Sequence, residues 1–96
     1  MPKARPTVTT LQLRLYVAGN GPNSALARAN ISALCHEEFP DAFELEVVDL
    51  IESPLRALAD GIVVTPTLLK LAPAPTRRII GNLNNAPQVL LALRNT

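Results

Sequence analysis

The segment Ile62-Val63-Val64-Thr65-Pro66-Thr67-Leu68-Leu69-Lys70 constrains the fold of this chain more than any other. It is an apolar, β-branched run of the composition found in buried strands. Pro66 has no N–H to give a sheet ladder, so it belongs at the head, the edge or a bulge of that strand. Residues 62–65 therefore read as the approach and residues 66–71 as the strand itself. Thr65 precedes a proline and is pushed into extended geometry.

The rest of the chain supplies neighbours for that strand. Residues 10–18 alternate, with Leu11, Leu13, Leu15 and Val17 on one face and Gln12, Arg14 and Tyr16 on the other. Residues 19–24 form a loop in which Asn23 or Ser24 is the expected N-cap of a helix running to about Phe39. Ala27, Ile31, Leu34 and Cys35 make its apolar stripe, and Pro40 and Asp41 stop it. Residues 43–50 alternate again and predict a second strand. Ser53 and Pro54 start a short helix through Leu55 and Leu58, which Gly61 can close. Beyond the Thr-Pro strand, Pro73 and Pro75 mark a turn, and residues 77–81 a short strand. Asn84 or Asn85 caps a last helix, with Pro87 in its first turn and Val89, Leu90 and Leu93 facing inward.

The order is strand, helix, strand, helix, strand, strand, helix. Its first half is a right-handed βαβ unit with parallel strands, and the last two strands pair antiparallel across a short connection. The expected fold is α/β: a four-stranded mixed sheet with helices on its faces. This is the thioredoxin-like plan, in which a Thr-Pro step with a cis bond heads a strand, as Thr65-Pro66 does here.

Composition limits what such a domain can do. Ninety-six residues make one domain, with residues 1–9 read as a flexible leader. The only aromatics are Tyr16, Phe39 and Phe43, so the core is aliphatic. A formal net charge of +1 gives no electrostatic case for nucleic-acid or membrane binding. No apolar run reaches membrane-spanning length, and the N-terminal residues lack the apolar stretch of a signal peptide. The single cysteine, Cys35, excludes an intrachain disulfide and suits a reducing compartment, so the expected location is cytoplasmic.

No catalytic, cofactor or metal constellation is visible. A thioredoxin-type thiol would sit between the first strand and first helix, where a helix N-terminus activates it. Residues 19–24 contain none, and Cys35 lies on the apolar stripe as a core thiol. His36 neighbours Cys35, but consecutive helical positions do not share a face, which makes a poor metal site and a solvent-facing histidine. Glu37 and Glu38 read as a solvated face. Asp49 is either a buried carboxylate or a turn residue. Gly19 to Gly21 lacks the Gly-Lys-Ser/Thr ending of a phosphate loop. Lys70, Arg77 and Arg78 form the only basic cluster, open to reading as a partner contact or as plain surface.

Four blocks carry a family resemblance: Leu13-Arg-Leu-Tyr-Val-Ala-Gly-Asn-Gly-Pro-Asn-Ser24, Glu46-Val-Val-Asp49, Val64-Thr-Pro-Thr-Leu68 and Pro75-Thr-Arg-Arg-Ile-Ile-Gly-Asn-Leu83. Together they resemble KaiB, a family of bacterial circadian clock proteins, over nearly the whole chain. The related sensor domain of the clock kinase SasA is a weaker match, because it lacks these blocks. The resemblance implies a binding module without enzymatic activity. It would dock on the ATPase ring of a KaiC-type protein, modulating its phosphorylation cycle through KaiA- or SasA-type partners. It also implies a docking surface on the short helix around Pro54, Arg56 and Asp60 and the Thr65-Pro66 segment that follows.

KaiB-like proteins further imply two folds, a tetrameric ground state and a thioredoxin-like monomer that binds KaiC. Familiar members carry Gly near Ala92 and Asp near Arg94. Alanine for glycine in a helix favours it by about 0.5–1 kcal/mol. Arginine in a last turn adds a few tenths through the helix dipole. Pro66, Ala92 and Arg94 thus point to the thioredoxin-like form, largely monomeric, with the tetramer as a minor state. Glu44, Glu46, Leu26 and Gly61 depart from the basic or small residues usual in the family, as expected of a diverged paralogue whose interface charge has changed.

Overall fold

A computed structural model describes residues 10–94; the leader expected over residues 1–9 lies outside them. Seven elements follow in the order β1 (Leu11–Val17), α1 (Pro22–Glu38), β2 (Phe43–Asp49), α2 (Pro54–Ala59), β3 (Thr67–Ala72), β4 (Arg77–Ile80) and α3 (Ala86–Arg94). The strands form one sheet in the order β2-β1-β3-β4. β1 and β2 run parallel, while β3 is antiparallel to both β1 and β4. This is the expected thioredoxin-like βαβαββα arrangement, and the Thr65–Pro66 bond is cis.

Strand alternation divides the core in two. Leu11, Leu13, Leu15 and Val17 pack with Leu68 against Ala27, Ile31, Leu34 and Cys35 of α1 and Val89 and Leu93 of α3. The opposite face is smaller: Tyr16, Val48 and Leu69 meet Ala57 of α2. Two helices therefore cover one face and one short helix the other. Pro66 is buried at the head of β3, where its carbonyl accepts the Gly81 N–H at 3.0 Å. That bond ties the strand's start to the end of β4.

One start signal resolves differently from its expectation. α1 begins at Pro22, with Gly21 as N-cap and no side-chain cap, rather than after Asn23 or Ser24. Proline is preorganised for the first helical position. The Ser24 hydroxyl instead accepts the Ala18 N–H at 3.3 Å, inside the turn from β1. At α3 the asparagine reading holds: Asn85 Oδ1 accepts the Gln88 N–H at 3.2 Å. Asp49 is a turn residue, its Oδ1 accepting the backbone N–H groups of Gly19 and Ile51 at 3.2 and 2.9 Å.

Candidate functional site

The α2 face of the sheet carries the densest polar network among the described residues. Parallel register sets Arg14 of β1 beside Glu46 of β2, and the Arg14 Nε donates to Glu46 Oε1 at 3.0 Å. Arg56 of α2 grips the same carboxylate with both terminal nitrogens, at 2.7 and 2.8 Å. This is the paired geometry in which arginine binds carboxylates most strongly. Arg14 Nη1 reaches on to Asp60 Oδ2 at 2.9 Å, and the Tyr16 hydroxyl donates to the same oxygen at 2.7 Å. Gly61, with φ +68°, turns the chain after α2. Arg78 then holds that turn, donating to the carbonyls of Gly61 and Asp60 at 3.0 and 2.8 Å.

The electrostatics follow from these contacts. The Arg56 guanidinium, with Arg14 behind it, holds the Glu46 carboxyl down at about 2. The Tyr16 hydrogen bond, helped by Arg14, lowers Asp60. Burial, reinforced by Asp60, raises the Tyr16 phenol. Glu46, Asp60, Arg14 and Arg56 therefore stay ionised near neutrality, in a role that binds α2 to the sheet.

Of the expected docking residues, Arg56 and Asp60 both lie in this network, with their charges facing Glu46, Tyr16 and Arg14. Pro54 is exposed at the start of α2, Thr65 is half-buried and Pro66 is buried. The basic cluster is divided. Lys70 and Arg77 are direct cross-strand partners on the face covered by α1 and α3, whereas Arg78 points to the α2 face. Lys70 is not plain surface: only 1% of it is exposed. It sits one place beyond Leu69 in a strand whose first four residues are all buried.

Sequence reasoning missed the apolar side of the same surface. α2 approaches the sheet through Ala57, and its larger residues point outward: Leu55 is 78% and Leu58 75% exposed. Ile51 before the helix and Val63 and Val64 after it are exposed as well. An apolar surface of this kind, rimmed by ordered polar groups, is the usual mark of a protein contact. The available signal was Leu55 and Leu58 at i, i+3 on either side of Ala57, a small residue by which a short helix can pack closely.

Cys35 is fully buried, and burial pushes its thiol up to about 11. His36 is exposed and meets the Phe43 ring edge-on at 5.1 Å. At the end of α3, Arg94 donates to Glu38 Oε1 at 3.0 Å and lies over the Phe39 ring at 5.5 Å. Among the described residues, no helix is long and apolar enough to cross a membrane.

Comparison with known proteins agrees with this architecture. The sequence profile of the KaiB domain matches residues 14–95. The circadian clock protein KaiB3 of Synechocystis sp. is 47% identical over 81 residues, covering 84% of this chain and 79% of that protein. The circadian clock oscillator protein KaiB of Thermostichus vulcanus is 44% identical over 88 residues, covering 92% and 82%. Among solved structures, the N-terminal domain of Synechococcus elongatus SasA matches with a TM-score of 0.75 at 21% identity, covering 100% of this chain and 94% of that one. Fasciola hepatica thioredoxin matches at 0.72 and 16% identity, covering 90% and 80%. At these identities the structural likeness concerns the fold alone. The profile match and the KaiB relatives, each spanning most of the chain, place it in the KaiB family of circadian clock proteins.

Proposed function

We propose that this protein is a non-enzymatic docking module that binds a KaiC-type ATPase ring and modulates its phosphorylation cycle together with KaiA- or SasA-type partners. The observation that carries the reading is the exposed apolar surface of α2, Leu55 and Leu58 flanked by Ile51 and Val63. Burying one leucine is worth about 1.5–3 kcal/mol, so a few such side chains supply much of a specific contact. Arg14, Glu46, Arg56 and Asp60 hold the helix in place, while Pro54 and Thr65-Pro66 border it. The module acts in the cytoplasm as a single domain, largely monomeric, with a tetramer as its minor form.

A redox or stress role for a generic thioredoxin-like domain is the weaker reading. The turn between β1 and α1 carries no cysteine, and the Cys35 thiol is buried at about 11. Size-exclusion chromatography of the full chain with and without a purified KaiC-type ring tests the docking reading. Co-elution supports it; separate elution of both proteins at micromolar concentration, with nucleotide present, contradicts it.

A further inference from the structure

Asn20 is exposed in the turn between β1 and α1, and it is the only asparagine of the chain followed by glycine. Two side chains brace that turn: Ser24 Oγ accepts the Ala18 N–H at 3.3 Å and Asp49 Oδ1 the Gly19 N–H at 3.2 Å. Neither bond uses the Asn20 carboxamide, which is free among the described residues. The carboxamides of Asn30, Asn82 and Asn85 are engaged. Asn30 Nδ2 donates to the Asn82 carbonyl at 2.8 Å, and Asn82 Oδ1 and Asn85 Oδ1 accept the Asn84 and Gln88 N–H groups, each at 3.2 Å. Gly21 is fastened through its carbonyl, which accepts the Ala25 N–H at 3.0 Å, while its own N–H donates to no described residue. With no Cβ, glycine leaves its nitrogen open to approach by the side chain before it.

We propose that Asn20-Gly21 is a self-modification site, at which the folded chain deamidates to aspartate and isoaspartate. The Gly21 nitrogen gives up its proton to base and attacks Asn20 Cγ. The new N–Cγ bond closes a five-membered succinimide. The Cγ–Nδ2 bond breaks, and the departing nitrogen takes up a proton and leaves as ammonia. Water then opens the ring. Attack at Cγ breaks the new bond and gives aspartate. Attack at the Asn20 backbone carbonyl carbon breaks the original peptide bond instead and gives isoaspartate, with the chain running through the side chain. One water is consumed and one ammonia released, with no oxidant or reductant. The product carries one more negative charge, which lowers the formal net charge by one from +1. That charge arises beside the start of α1, which has no side-chain cap and no acidic residue in its first turn. Isoaspartate also lengthens the backbone of the turn by one methylene. This site is separate from the apolar α2 surface and does not depend on the docking reading.

The test is incubation of the full native chain at about 37 °C and pH 7.5, followed by peptide mapping in the mass spectrometer. Methyl transfer by a purified isoaspartyl methyltransferase counts the isoaspartate formed. Conversion at Asn20 should outrun that at every other asparagine by at least roughly tenfold, equivalent to about 1.4 kcal/mol in barrier height. The rate should rise with pH, because the deprotonated nitrogen is the attacking group. Gly21→Ala should slow conversion at least roughly tenfold by crowding that nitrogen. Gly21 has φ −58°, and an added Cβ would come no closer than 4.0 Å to the Ala18 carbonyl oxygen, so this variant should fold like the parent. Asn20→Gln, which would have to close a larger ring, should stay unmodified at that position. An Asn20 that remains intact in the native chain over several weeks, or that converts only in denaturant, overturns the proposal. So does a folded Gly21→Ala variant that converts at the parent's rate.

Discussion

The Tyr16 hydroxyl donates to Asp60 Oδ2 at 2.7 Å, joining an inner strand of the sheet, β1, to the end of α2 across 44 residues of sequence. Because α2 is only six residues long, too short to be stable alone, its position depends on such anchors. The same oxygen receives Arg14, so both anchors converge on one carboxylate.

Tyr16→Phe removes the hydroxyl and leaves Asp60 with Arg14 alone. A hydrogen bond to a charged acceptor contributes about 1.5–3 kcal/mol. Chemical denaturation should show a loss of about that size. Amide exchange in residues 54–61 should accelerate more than in β1, because the anchor is lost on the helix side.

Acid should weaken the network in a defined window. Glu46 sits at about 2 when folded and near 4.5 otherwise. A carboxyl with a lowered folded pKa contributes stability that is present above the unfolded value and lost as pH falls through the folded one. The contribution should therefore fade between about pH 4.5 and 2. Asp60, also lowered, acts with the same sign. Glu46 is well exposed, so solvent and salt reduce the effect. In melting curves, Glu46→Gln should differ from the parent at pH 6 and converge with it at pH 2, and the difference should shrink in 1 M salt.

Cys35 should be inert in the folded protein. A thiol at about 11 is almost wholly protonated at pH 8, and the thiolate is the reactive form. Ellman's reagent should label it only at the rate of unfolding, and completely in denaturant. Fast labelling of native protein, or Cys35-dependent reduction of insulin, would contradict a core role.

We predict that the end of α3 sets the fold state. Arg94 joins Glu38 and Phe39 of the segment that ends α1. Arg94→Asp would place a carboxylate beside Glu38, and Ala92→Gly would weaken the helix by about 0.5–1 kcal/mol. Together they should lower the helical population of residues 87–93 in NMR shifts and raise the tetramer fraction by mass. An unchanged helix in the double variant would remove these two residues as determinants.

Much of this architecture was legible in the chain. Alternation marked β1 and β2, Pro66 marked the head of β3, and the Ala27-to-Cys35 stripe marked the covered face of α1, because each depends on local periodicity. The α2 surface was harder. Leucine outranks alanine in burial habit, yet Ala57 is what lets the helix approach Tyr16 closely, and that turns Leu55 and Leu58 outward. Lys70 was hidden for a related reason. Its burial is a property of the folded whole that no local pattern signals, and a lone lysine at the end of an apolar run ordinarily reaches solvent. The Arg56 and Asp60 charges read as surface because their partners, Glu46 and Tyr16, lie on other strands.

The affinity of the full chain for a KaiC-type ring, measured beside a Leu55→Glu, Leu58→Glu double variant, bears most directly on the α2 surface. Both side chains are exposed, so the variant should melt within a few degrees of the parent. Losing two buried leucine contacts should weaken binding by at least roughly 100-fold. Binding by the parent with that loss in the variant is the expected result. A parent that does not bind, or a folded double variant that binds equally well, would contradict docking through α2.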